Sequence, residues 1–61
     1  MTNLTTKELS ALEDQLGFEG MLCCKYQDAA KSAAEPELKT AYEGYAARHK
    51  QNYDMLLDFL K

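Results

Sequence analysis

Two stripes of mostly apolar side chains, each repeating at alternating intervals of three and four, lie on either side of the chain's one proline. Leu9, Leu12, Leu16, Glu19, Cys23, Tyr26, Ala30 and Ala33 form the first stripe. Leu38, Tyr42, Tyr45, His49, Asn52, Leu56 and Phe59 form the second. This spacing marks the buried seam of an α-helix packed in coiled-coil fashion, and no strand-like alternation competes with it. The chain therefore has little choice but to be all-α, with two long helices and a break near Pro36.

Local signals place the ends. Thr5 to Glu8 (TTKE) fits a capping box, flanked by Leu4 and Leu9 at the positions of a hydrophobic staple. Pro36 suits the first turn of a second helix, and the residue before a proline resists helical geometry. Glu35 and Glu37 suit a helix N-terminus electrostatically, and Lys61 suits a helix end. We expect one domain over 1–61, with a first helix over about 6–33, a turn over about 34–36 and a second helix over about 37–60. So short a connection folds the helices back as an antiparallel hairpin. Gly17 and Gly20 interrupt the first helix on either side of Glu19. They are either weak points or places where packing is close around the carboxylate.

At 61 residues the hairpin is small for a core of its own. Chains of this size usually need disulfides, a metal or a partner chain. Ala41, Ala46, Tyr53, Met55, Leu57 and Leu60 widen the apolar stripe beyond the seam, enough to touch more than one neighbour. Two hairpins pairing as a dimeric four-helix bundle would bury it, and a homodimer is the expected state.

Composition removes several function classes. Net charge is −3 and the pI about 4.9, with the seven basic residues scattered, so nucleic acid is not an expected partner. No apolar run approaches membrane-spanning length, and MTNLTTKELS lacks the basic start and apolar stretch of a signal peptide. An intracellular location is expected. Cys23 and Cys24 point about 100° apart on a helix, which would strain a mutual disulfide. They read first as two small buried hydrophobes, and otherwise as donors to a cross-chain disulfide. Without a CxxC-type spacing they make no zinc site.

Glu19 is the exception in its seam. A carboxylate aimed at the core must find a proton, a partner or a metal. Counting outward from the turn, Glu19 lies about 16 residues before it, and His49 and Asn52 about 13 and 16 after it. The three are thus nearly level, as are Tyr26 and Tyr45. Glu19 is a core carboxylate hydrogen-bonded to His49 or a tyrosine, a metal ligand, or a solvent-facing side chain on a rotated helix. His49 is either a satisfied core histidine or a ligand. Tyr26, Tyr42, Tyr45 and Tyr53 read as amphipathic packing rather than an aromatic cofactor box. No nucleophile–base pair or phosphate loop is visible, so an enzyme is not expected.

These elements resemble a known pattern. A core Glu19, then Tyr26, a small-residue tail (AAKSAAEPELK) and a helix carrying His49 resemble the repeating half of ferritin-like and rubrerythrin-like proteins. More narrowly, KY at 25–26, EPELK at 35–39 and RHKQNYDMLLDFL at 48–60 resemble the coat F family of bacterial spore coat proteins. The resemblance implies a ferritin-like half-bundle and a structural role in an endospore coat, with other coat proteins as partners. Only Glu19 and His49 carry over as metal ligands. Ala46 stands where a metal-binding half would have glutamate, and Asn52 where the coat F pattern would have a second histidine. Three functions remain open. One is a structural coat-type dimer without cofactor. Another is a reduced ferritin-like protein holding one divalent ion, zinc or iron, per dimer through Glu19 and His49 of two chains. The third is a plain dimerisation module acting on a larger partner.

Overall fold

The computed structural model describes residues 3–60 and consists of two long helices folded back on one another. Helix α1 spans Thr6–Ser32 and α2 spans Pro36–Leu57, with a 3-10 turn at Asp58–Leu60. No strand occurs among the described residues. The hairpin is a rod with extents of 46 × 15 × 11 Å. Among the described residues no helix is long and apolar enough to cross a membrane.

Both helix starts follow from local chemistry. The Thr5 hydroxyl accepts from the Glu8 backbone N–H at 3.1 Å, and Glu8 Oε1 accepts from the Thr5 backbone N–H at 3.0 Å. Two backbone donors that the first turn leaves free are thereby satisfied. The bond from the Thr5 backbone N–H, foremost, and a second that the Thr5 hydroxyl donates to Glu8 Oε1 at 2.9 Å hold the Glu8 carboxyl below its ordinary range. Helix α1 stops when Ala33 turns extended (φ −71°, ψ 126°), one residue before the expected end. Glu35 is also extended (φ −86°, ψ 129°), as its position before a proline demands, and Pro36 opens α2. Helix α2 stays α-helical to Leu57, where the expected helix ran on to 60. The last turn tightens, and the Asp58 N–H is shared between the carbonyls of Asp54 and Leu56. Lys61, expected to cap this end, lies outside the described residues.

The seam is buried only in part. Leu16 and Glu19 of α1 are buried, and so are Ala30 of α1 and Ala46 of α2, the two alanines lining one groove. Leu9, Leu38, Tyr45 and Phe59, expected in the seam, are 37%, 42%, 49% and 52% exposed in the single chain. Ala46 is buried beside Tyr45, whose ring meets α1 while remaining half exposed. The cysteines also divide, Cys23 half-buried and Cys24 exposed, which corrects the expectation that both are covered. They are free thiols.

The two glycines near Glu19 differ as well. A Cβ on Gly20 would meet the Tyr53 ring at 3.4 Å, in van der Waals contact, so this glycine lies where the helices pack. A Cβ on Gly17 would meet nothing within 4 Å, and its backbone is ordinary helix. Gly17→Ala should therefore stabilise the fold by about 1 kcal/mol through helix propensity alone. Urea unfolding followed by circular dichroism would measure this. A loss of stability would show that Gly17 is packed against something the single chain does not contain.

Candidate functional site

Midway along the rod, three polar side chains meet across the hairpin. Glu19 projects from α1 and is 4% exposed, while His49 and Asn52 project from one side of α2 at the helical i, i+3 spacing. His49 Nδ1 lies 2.7 Å from Glu19 Oε1 and 3.4 Å from Oε2. Asn52 Nδ2 donates to the same two oxygens at 3.4 and 3.3 Å. An ionised carboxylate only accepts, so His49 must carry its proton on Nδ1. The hydrogen bond from His49 pulls the Glu19 carboxyl below its ordinary range. Burial opposes this, and the Asn52 amide and the charge of His49 add to the lowering. Sequence spacing brought these three residues to one level, and the structure joins them. Glu19 is thus a hydrogen-bonded core carboxylate in the single chain.

A ladder of rings extends from the histidine toward the turn. The His49 imidazole stacks on Tyr26 with centroids 5.7 Å apart and planes within 8°. Tyr26 stacks in turn on Tyr42 at 5.8 Å and meets Tyr45 edge-on at 5.4 Å. Tyr26 is the hub, touching three rings of α2. Counting had levelled Tyr26 with Tyr45 but gave no sign of the stack on His49, because ring orientation depends on how α2 is turned about its axis. The ladder fixes the imidazole plane, and the carboxylate fixes its tautomer.

No buried side-chain nitrogen or oxygen among the described residues lacks a hydrogen-bond partner. Nor do three or more His, Cys, Asp or Glu side chains gather where they could hold a metal. Glu19 and His49 are two donors, short of the four of a closed structural zinc site, and they are bonded to each other. Beside them a shallow groove of ≈ 240 Å³ opens, lined by Gln15, Glu19, Asn52, Met55, Leu56 and Phe59.

The lowered Glu19 carboxyl has a consequence for stability. Its folded-state value lies below its unfolded one, so the unfolded chain binds more protons in acid. The stabilisation is complete above the ordinary carboxylate range and is lost as pH falls from about 5 through that range. Glu19→Gln should flatten this acid limb of a melting-temperature profile, leaving the contribution of Glu8. An unchanged limb would mean that other carboxylates govern acid unfolding.

No family model matches the chain, and no curated protein or solved structure is similar to it.

Proposed function

We propose that this chain is a structural or interaction protein of the spore-coat type, built as a homodimeric four-helix bundle and without catalysis. One observation carries the dimeric part. Phe18, Met21, Tyr45, Met55 and Phe59 are 50%, 56%, 49%, 59% and 52% exposed, an unusual load of wet apolar surface for so short a chain. A two-helix hairpin has no third layer to cover these side chains, and a second hairpin supplies one. The reading without catalysis rests on the sequence, where no nucleophile–base pair or phosphate loop is visible. The spore-coat assignment rests on the resemblance of residues 25–26, 35–39 and 48–60 to coat F proteins. Other coat proteins are the partners it proposes. Light scattering at micromolar concentration should give twice the 6.9 kDa chain mass. A cooperatively melting monomer would refute the dimer.

A second reading is favoured by the Glu19–His49 contact. A carboxylate bonded to Nδ1 is the arrangement that orients Nε2 of a ligating histidine. Two copies would bring together two Glu and two His; with each Oε1 kept for Nδ1 and each Oε2 given to the ion, four donors would serve one zinc or iron per dimer. Titration of metal-free dimer with zinc, and with ferrous iron under argon, separates the readings. The structural reading expects weak or absent heat. Tight uptake abolished by His49→Ala would favour the metal protein.

A further inference from the structure

The two long sides of the hairpin are chemically unlike, and this decides which of them a second copy can cover. On α1 a stripe beside the seam runs through Ala11, Gln15, Phe18, Leu22, Lys25 and Ala29. On α2 a matching stripe runs through Leu38, Ala41, Tyr45, Arg48, Asn52, Met55 and Phe59. Gln15 and the trio Asn52, Met55 and Phe59 line the same groove over Glu19, which puts both stripes on one side of the rod. Lys25 and Arg48 are the charged members of the two stripes, and their long stems let the charged ends reach water at the rim. The opposite side carries a larger groove of ≈ 680 Å³. Its floor includes Ala30, Ala46 and Ala47, and Lys31, Lys39 and Lys50 flank them. Only Glu43 among its lining residues is acidic, and Lys50 already bonds Asp54 at 3.2 Å.

We infer that the side bearing Phe18, Tyr45, Met55 and Phe59 is an isologous interface whose occupant is a second copy of this chain. The inference rests on the dimeric reading above and names its surface. Area supports a partner of this size. A compact monomer of 6.9 kDa would expose about 4,000 Å², whereas this chain exposes 4821 Å². The excess of about 800 Å² is one partner's share of a standard-size interface. Apolar load selects the side. A two-fold axis brings a surface against itself. Self-pairing of the lysine-flanked side would cover mainly alanines and desolvate charged side chains for little apolar gain. The other side offers Phe18, Tyr45, Met55 and Phe59, each 49–59% exposed. Pairing there closes the groove over Glu19 and leaves the Glu19–His49–Asn52 centre inside the bundle, away from bulk water.

The test uses two cysteine variants in a Cys23→Ser/Cys24→Ser background: Met55→Cys on the apolar side and Ala47→Cys on the lysine side. Labelling of the native protein with a thiol reagent, above the concentration at which it dimerises, reads which side is covered. Met55→Cys should react at least about tenfold more slowly than Ala47→Cys, since local protection tracks burial. Dilution into the monomer range should restore its rate. Met55→Glu should raise the dimer dissociation constant at least about 30-fold, and Ala47→Glu should leave it unchanged. A dimer in which Ala47→Cys is the protected thiol overturns the choice of face while the dimeric reading stands. A wild-type chain that stays monomeric at every concentration overturns both, and hands the apolar side to an unrelated partner.

Discussion

Tyr26→Ala should leave the chain largely unfolded at 25 °C. The ring is the hub of the ladder, in contact with Tyr42, Tyr45 and His49 at 5.4 to 5.8 Å. Truncating a packed aromatic ring costs about 3 kcal/mol, and each lost ring pair accounts for about 0.5–1.5 kcal/mol of that beyond area burial. A 61-residue chain has little reserve to absorb it. The loss also reaches beyond packing, because the Tyr26 ring holds the His49 plane against which Glu19 is hydrogen-bonded. The control is Tyr26→Phe. No hydrogen bond involves the Tyr26 hydroxyl among the described residues, so this change should shift stability by no more than about 0.5 kcal/mol. Far-UV circular dichroism with urea titration would measure both. A folded alanine variant would mean that the ladder decorates a hairpin held by its aliphatic contacts.

Glu19→Leu should lower the melting temperature on its own, by about 10 °C for a domain of this size. From the seam alone this change would have been expected to be neutral or stabilising, since a leucine completes the stripe. The hydrogen bonds reverse that expectation. Removing the carboxylate leaves the His49 Nδ1–H and the Asn52 amide without their acceptor in a half-buried site, and orphaned donors cost more than the bond contributed. Replacing all three residues with leucine removes the orphans along with the carboxylate, and should recover or exceed wild-type stability. Differential scanning calorimetry of the single and triple variants decides between these accounts. A stable single variant would show that His49 and Asn52 find water easily.

What the sequence made legible was whatever short-range chemistry controls. Thr5 and Glu8 announce a helix start because the capping box needs only four residues, and Pro36 announces another because its ring sets φ. The meeting of Glu19, His49 and Asn52 was countable because a short turn fixes the heights of residues on both arms. Rotation of α2 was not countable. A wide apolar arc says how much surface wants cover, but not which edge is covered most, so Ala46 went unrecognised as core and the half exposure of Tyr45 was not foreseen. Alanines on both arms, Ala30 and Ala46, are the retrospective signal, since small facing residues permit close helix approach. Cys24 was misjudged for the same reason. The exposure of Leu38 and Phe59 belongs to a different level, because two helices alone have no third layer to cover the outer edge of a wide apolar stripe.

The polar centre also governs how the two arms are allowed to align. Heptad-like stripes of leucine, alanine and tyrosine are forgiving, and sliding one helix past the other by two turns would still set apolar against apolar. Glu19 forbids it. A shift of seven residues would put the carboxylate opposite Tyr42 and Tyr45 in one direction, or Leu56 and Phe59 in the other. Leu56 and Phe59 offer no donor, and Tyr42 and Tyr45 would have to leave the ring ladder to present their hydroxyls. A single buried polar contact can thus act as a register pin, as a core asparagine does in coiled coils. The all-leucine variant would then gain stability at the expense of a unique alignment, visible as broadened and duplicated amide resonances in a protein that melts higher than its parent.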